Sequence, residues 1–254
     1  MEPERAQAPR QPYIDPSGWV DRLDEALIQA RWRDDSEDIH QIRVATRRLV
    51  TWLDLAGQRA LRDDLQRLRQ SVSERRDLDV MLERALPPEL ERWAREQHLA
   101  GRPALQEALA EPFIPALLAA LAELPPLSEE RARASLRGLC AKALQRGRAL
   151  ERPDHHEEHL HDLRRAVRPV RYALEWIGAP DVSVRALQEV LGALNDGFVL
   201  QRAIQAHGVP APELEAMVLA ERTELLDRAR WTWLSARIAL YKLRHAGRLE
   251  LPQE

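Results

Sequence analysis

The spacing of apolar residues is helical in two segments of the chain. In the segment that begins at His40, and again in the segment that begins at His161, the apolar residues fall on one face of a helix. The first face contains Ile42, Leu49 and Leu53, and the second contains Leu163, Ala166, Val167, Val170 and Leu174. Each segment therefore predicts an amphipathic helix with one buried side.

The rest of the chain also favours helices over strands. It has long stretches rich in Ala, Leu, Glu and Arg and few β-branched runs, so we predict an all-α fold. Capping residues, glycines and prolines predict helix starts. These starts fall after Ser17, near Asp35 and Ser36, near Gln58, after Pro87 and Pro88, after Gly101, at Ser128, near Asp154, near Asp181, and after Pro212, with the last helix running in two pieces to His245.

The chain contains an internal repeat. Aligning the two amphipathic segments at an offset of 121 residues superposes His40 on His161, Arg43 on Arg164, and Arg47 on Arg168. A second match, at an offset of 119 residues, places Asp77 on Asp196. Two related helical halves explain both matches.

A proline-rich section from Pro87 to Leu127 is the natural joint between these halves, because proline interrupts helices. We expect a disordered N-terminal tail over 1–15 and one domain over 16–249. Within the domain, half 1 covers about 16–124 and half 2 about 125–249.

Both repeated segments carry basic residues on one side of the helix. On the first, His40, Arg43 and Arg47 share an arc of about 60°, and Arg48 lies beside it. On the second, an arc of about 120° contains six residues. They are His161, Arg164, Arg165, Arg168, Arg171 and Tyr172. Like charges at this spacing destabilise a helix, so either acidic residues on neighbouring helices or a polyanionic ligand across both faces must offset them.

Composition narrows the class of protein. With 254 residues, 44% apolar and 31% charged, the chain predicts a soluble globular protein, and its longest uncharged run is too short to span a bilayer. An N-terminus without a signal sequence and a lone cysteine, Cys140, predict a cytoplasmic location. The net charge of -3 argues against a general nucleic-acid coat. All but two of the 38 basic residues are arginines, whose planar guanidinium groups suit phosphate and carboxylate oxygens.

Four motifs together resemble the CHAD domain, the conserved histidine α-helical domain. They are H-x-x-R-x-x-x-R-R from His40 to Arg48, R-D-L-D-V from Arg76 to Val80, H-x-L-R-R-x-x-R-x-x-R-Y-x-L-E from His161 to Glu175, and L-G-x-L-N-D from Leu191 to Asp196. The resemblance covers roughly Ser17 to Leu249. The E-x-E-x-K signature of the hydrolase domain fused to some members is missing, so the chain resembles the stand-alone form.

The resemblance implies two pseudo-symmetric antiparallel helical bundles whose basic residues line a central groove. It further implies binding of inorganic polyphosphate and an association with polyphosphate granules. Because the sequence has no spanning segment and, apart from the segment His155 to His159, no nucleophile arrangement, glycine-rich phosphate loop or cysteine–histidine cluster, we expect this binding to be non-catalytic, without cofactor or metal and without a membrane partner. The implied binding residues are His40, Arg43, Arg47, Arg48, His161, Arg164, Arg165, Arg168, Arg171 and Tyr172. We interpret Asp77 and Asp196 as structural carboxylates.

One departure from the family pattern concerns the second basic helix. Pro169 stands at a position that is usually basic in the family, and proline inside a helix removes a hydrogen bond and favours a kink. A bend there would change the direction in which Arg171 and Tyr172 point.

Two other functions remain open. The segment from His155 to His159 contains H-x-x-E-H, which on a helix places His155 and His159 one turn apart as zinc ligands with Glu158 as general base of a hydrolase. The same basic groove could instead bind RNA. Single-stranded nucleic acid normally needs aromatic stacking surfaces, and Tyr172 is the one aromatic residue on either basic arc, so we expect nucleic acid only as a weak competitor.

Overall fold

The chain folds into a bundle of α-helices with one very short β-ribbon. The computed structural model describes residues 13–33, 35–152, 157–208 and 210–246. The helices are α1 (Ser17–Trp32), α2 (Ser36–Ala56), α3 (Arg62–Ser71), α4 (Ser73–Leu82), α5 (Pro88–Ala100), α6 (Arg102–Leu109), α7 (Phe113–Ala122), α8 (Glu129–Gly147), α9 (Glu157–Trp176), α10 (Val182–His207) and α11 (Pro212–His245). The predicted all-α class is confirmed.

The β-ribbon joins the start of the described chain to the segment that precedes α8. Strand β1 (Tyr13–Ile14) pairs antiparallel with β2 (Leu127–Ser128), with Tyr13 opposite Ser128. The indole of Trp52 donates a hydrogen bond to the carbonyl of Ile14 at 3.3 Å, and the Ile14 side chain is buried. Tyr13 and Ile14 thus form structure within the predicted tail over 1–15, whose residues 1–12 lie outside the described part of the chain.

Three predicted helix starts are confirmed by their caps. The side chains of Asp35, Ser128 and Asp181 accept hydrogen bonds from backbone N–H groups in the first turns of α2, α8 and α10. At the other end of α2, Gly57 adopts a φ of 67°, the left-handed conformation that terminates a helix.

Other boundaries differ from the predictions. The helix expected near Gln58 begins at Arg62 and breaks at Val72, and α7 was not predicted. The start expected near Asp154 falls outside the described residues. The last helix is one continuous helix rather than two pieces, because buried residues recur along it from Leu214 to Leu240.

One large apolar core runs through the bundle, with α2 and α9 at its centre. Helix α2 packs against α1, α3, α4, α8 and α9, while α9 packs against α8 and α10 as well. A second, smaller core lies where α4 and α5 meet α10 and α11, and includes Met81, Leu90 and Leu200. The internal duplication and its pseudo-symmetry stay predictions.

Within the described residues, no single helix is long and apolar enough to cross a membrane. Only the bent pair Pro88–Leu109 and Phe113–Ala122 together reaches the required length and composition.

Candidate functional site

The packing of α2 against α9 brings the two predicted basic faces together. On α2, Ile42 and Leu49 are fully buried in the core, and on α9 Leu163 and Val167 are fully buried. Because the arginines lie on the other sides of these helices, they line the spaces beside the core. Two cavities form there, and in each lining the cations outnumber the carboxylates.

The larger of these spaces, the arginine cavity, has a volume of about 310 Å³. Its cationic lining residues are Arg47, Arg62, Arg69, Lys142, Arg146, Arg165 and Arg168. Two carboxylates partly offset them, since Asp54 lies 3.4 Å from Arg62 and Asp162 lies 2.8 Å from Arg146. The lining therefore keeps a large excess of positive charge, which attracts anions.

The smaller space, the histidine cavity, has a volume of about 180 Å³. It is lined by His40, Arg43, Arg47, Arg76, Asp77, Val80, Arg164, Asn195, Asp196 and Val199. Residues from both predicted halves thus share one cavity, and the two aligned carboxylates, Asp77 and Asp196, meet there. Asp77 Oδ1 lies 3.8 Å from Arg43 Nη1, in agreement with a structural role for this carboxylate.

The two cavities meet at Arg47, whose side chain lines both. Next to it, Arg164 lines the histidine cavity and Arg168 the arginine cavity, one helical turn apart on α9. A ligand that extends from one cavity into the other therefore passes Arg47, Arg164 and Arg168.

These three arginines have hydrogen-bond donors without partners. Arg47 Nε, Arg164 Nε and Arg168 Nη2 are buried, and none of them has a hydrogen-bond partner among the described residues. A buried donor without a partner costs about 1–3 kcal/mol, and more when it is charged. Ligand oxygens would remove that cost, so this junction can receive an acceptor.

Electrostatic repulsion acts at the same junction. Burial and then the charge of Arg47 lower the pKa of Arg164, and burial followed by Arg164 and Arg47 lowers the pKa of Arg168. Burial and Arg47 also lower the pKa of Arg43 to about 10. Because guanidinium groups start from so high a pKa, they stay protonated near neutral pH. Asp77 and Asp196 therefore offset the positive charge of the cluster only in part.

His40 experiences the same positive field. Burial lowers its pKa most and Arg76 lowers it further, while Glu37 raises it and Arg47 and Arg43 have smaller lowering effects. His40 is therefore harder to protonate in the ligand-free protein than an ordinary histidine. A bound polyanion would act in the opposite direction and raise the pKa of His40.

Not all predicted residues lie in the two cavities. His161 is exposed, and its Nδ1 lies 3.3 Å from Asn195 Oδ1, in a shallow crevice beside Arg164. Arg165, although exposed, lines the arginine cavity. His161 therefore lies next to the histidine cavity, beside Arg164 and Asn195.

Arg48 and Arg171 have protein partners and line neither cavity. Both bind Glu175, with Nη2 of Arg48 at 2.6 Å from Oε2 and Nε of Arg171 at 2.9 Å from Oε1. Arg171 also donates to Gln188. The acidic partner offsets their charge, so their contacts favour a structural role over the predicted ligand binding.

Tyr172 belongs to the same structural cluster. Its ring packs against the guanidinium of Arg48 at 4.8 Å and that of Arg171 at 5.7 Å, and little of it is exposed in the arginine cavity. Helix α9 continues through Pro169 to Trp176, so the proline does not end the helix.

The sequence prediction missed the cations that other helices add to the cavities. Arg62 and Arg69 lie seven residues apart on α3, and Lys142 and Arg146 lie four apart on α8. Both spacings place the two cations of a pair on one helix face, and this shared face is the sequence signal that could have identified them. Arg76 of the R-D-L-D-V motif is the fifth addition, and it lines the histidine cavity.

The zinc alternative requires His155, which lies outside the described residues. Where the structure describes the chain, no group of three or more metal-ligating side chains is present.

The chain is similar in sequence to one family model and in structure to two solved proteins. The family model of the CHAD domain matches residues 20–205. The crystal structure of the CHAD domain from the plant Ricinus communis is 26% identical, with a TM-score of 0.64, and the match covers 99% of both chains. PptA from Streptomyces chartreusis is 18% identical, with a TM-score of 0.58 over 90% of this chain and 97% of that one, and shows similarity of fold. No curated protein matches the sequence.

Proposed function

The chain belongs to the CHAD domain family. We propose that it binds inorganic polyphosphate across the arginine and histidine cavities without catalysing a reaction on it. The observation that carries the proposal is the junction of the two cavities. There Arg47, Arg164 and Arg168 present buried donors that have no hydrogen-bond partner among the described residues.

Polyphosphate matches this junction chemically. The polymer carries about one negative charge per phosphate and offers only oxygen acceptors along a flexible chain. The cavities offer guanidinium groups in succession, with Arg47 common to both. Successive phosphates can therefore pair with successive arginines, and each contact relieves repulsion between neighbouring cations.

RNA is the competing ligand, and the cavity lining disfavours it. Single-stranded nucleic acid gains about 1–3 kcal/mol from each base stacked on an aromatic ring. Tyr172 is the one aromatic residue in the described lining of either cavity, and its ring is buried against Arg48. We therefore expect RNA to bind through its phosphates alone and to compete weakly.

The carboxylates of the histidine cavity support a binding role over a catalytic one. Asp77 pairs with Arg43, whose charge lowers the pKa of Asp77 against the larger raising effect of burial. In our proposal Asp77 orients the Arg43 guanidinium.

We further propose that the protein acts in the cytoplasm and associates there with polyphosphate granules.

The test is competition for a labelled long polyphosphate by long polyphosphate, orthophosphate and RNA. We expect long polyphosphate to compete best, and orthophosphate poorly, because one phosphate engages only one or two guanidinium groups. The double variant Arg47→Ala/Arg168→Ala should bind weakly. The control variant Arg92→Ala/Arg95→Ala, on the exposed face of α5, should bind like the wild type. RNA competing as well as polyphosphate, or an unaffected Arg47→Ala/Arg168→Ala variant, would overturn the proposal.

A further inference from the structure

The C-terminal half of α11 exposes an apolar stripe that the bundle does not cover. Trp231 is 73% exposed, Leu234 45%, Ile238 57% and Tyr241 59%. Their spacing of three, four and three residues places them on one face, while Trp233, Ala236 and Leu240 on another face are buried in the core. Neighbouring exposed apolar residues of this size mark an interaction surface.

Cations predominate around this stripe, although the exposed Asp227 lies one helical turn before Trp231. From Arg228 to His245 the helix carries Arg228, Arg230, Arg237, Lys242 and Arg244, and no acidic residue. The preceding half of α11, from Pro212 to Asp227, carries five acidic residues and one arginine. The helix therefore changes from acidic to basic where the apolar stripe begins.

Several of these cations are available to a partner. Arg237 pairs with Glu151 at 2.9 Å and Arg230 with Asp227 at 3.1 Å. Arg228, Lys242 and Arg244 are exposed and have no acidic partner within the part of the chain that the structure describes. A negatively charged surface would complement them.

We propose that the C-terminal half of α11 docks on the surface of an anionic lipid bilayer. An interfacial helix buries an apolar face at the boundary between headgroups and acyl chains, and its lysines and arginines contact anionic headgroups. Tryptophan and tyrosine are enriched at this depth. The 15 residues from Trp231 to His245 span about 22 Å, so the stripe lies along the membrane surface and does not cross it.

A second copy of the chain fits this stripe less well. The exposed parts of the four side chains form a patch on the order of 500 Å², whereas a stable protein interface buries about 800 Å² on each partner. Pairing two copies of this half-helix would also bring two wholly basic segments together. Charge and area therefore both favour a lipid surface.

This inference uses residues outside the polyphosphate site and does not depend on it. We expected no membrane partner because the sequence has no segment that spans a bilayer. A helix that lies on the membrane surface does not need such a segment.

The experiment is co-flotation of the full chain with vesicles of phosphatidylcholine, with and without phosphatidylglycerol. We expect binding only when phosphatidylglycerol is present, and weaker binding at high salt. Trp231→Ser/Ile238→Ser should abolish it, while Trp32→Ser, which alters another highly exposed tryptophan, should not. Lys242→Gln/Arg244→Gln should weaken binding about 25-fold, or about fivefold for each charge, and Arg92→Gln/Arg95→Gln should not.

Three results would overturn the inference. The first is equal binding to neutral and anionic vesicles, or binding to neither. The second is a dimer in sedimentation that Trp231→Ser/Ile238→Ser converts to a monomer, which would assign the stripe to a second copy. The third is loss of vesicle binding in Arg47→Ala/Arg168→Ala, which would place the headgroups in the basic cavities. Thermal unfolding of each variant verifies that its fold is intact.

Discussion

Replacing Arg168 by methionine should stabilise the protein and weaken polyphosphate binding at the same time. Arg168 Nη2 is buried without a hydrogen-bond partner among the described residues, and the charges of Arg164 and Arg47 repel its guanidinium. Methionine is similar in length, carries no charge and packs flexibly. The substitution therefore removes a destabilising group from the ligand-free protein and a contact from the complex.

The two effects have comparable magnitudes. Removing an unpaired buried donor, with its repulsion, should raise the free energy of unfolding by about 1–3 kcal/mol. For a chain of this size that corresponds to an increase in Tm of about 2–12 °C. Losing one charge-assisted hydrogen bond to phosphate costs about 1.5–3 kcal/mol, which weakens binding about 10- to 150-fold.

The assay is thermal unfolding without ligand, together with equilibrium titration with long polyphosphate. Arg171→Met is the matched control, since Arg171 lies three residues further along α9 and binds Glu175 and Gln188. It should lower stability by on the order of 1 kcal/mol and leave the affinity unchanged. If Arg168→Met lowered the Tm and left the affinity unchanged, Arg168 would be a structural residue and not a ligand-binding one.

Three further outcomes follow from the same geometry. Affinity for long polyphosphate should fall by about 10³-fold or more between about 50 and 200 mM salt in a titration series, since six or more neutralised phosphates release counterions. Because the fold lowers the pKa of His40, the folded state binds fewer protons there than the unfolded state. The stability of the free protein should therefore fall as the pH drops through about 6.5, and His40→Gln should reduce this dependence in thermal unfolding. Arg43→Ala/Arg47→Ala and Arg164→Ala/Arg168→Ala should each abolish the preference for long over short polyphosphate in titrations, and a preference retained in both would show that the halves bind independently.

The sequence predicted the part of the site that lies on α2 and α9. There the basic and apolar faces are long and regular, and the Asp35 cap defines where α2 begins. It did not predict the contributions of Arg69 on α3 or Lys142 on α8. Two cations on one helix face do not show which neighbouring helix they will face, because that depends on how the helices pack.

Arg48 and Arg171, which were predicted to bind the ligand, line neither cavity for a different reason. Residues on one helical arc point in a similar direction, so the sequence pattern grouped Arg171 with Arg168. In the structure Arg171 pairs with Glu175, whereas Arg168 Nη2 has no hydrogen-bond partner among the described residues. Glu175 lies one turn after Arg171 and also receives Arg48 from the other half of the chain. That contact joins residues 127 positions apart, and no local pattern shows it.

The most direct measurement is an experimental structure of the protein with bound polyphosphate. We expect phosphate oxygens within hydrogen-bond distance of Arg47 Nε, Arg164 Nε and Arg168 Nη2, with the polyphosphate continuing from the arginine cavity into the histidine cavity past Arg47. Polyphosphate bound elsewhere, such as along the basic half of α11, with these three donors still unpaired, would contradict it.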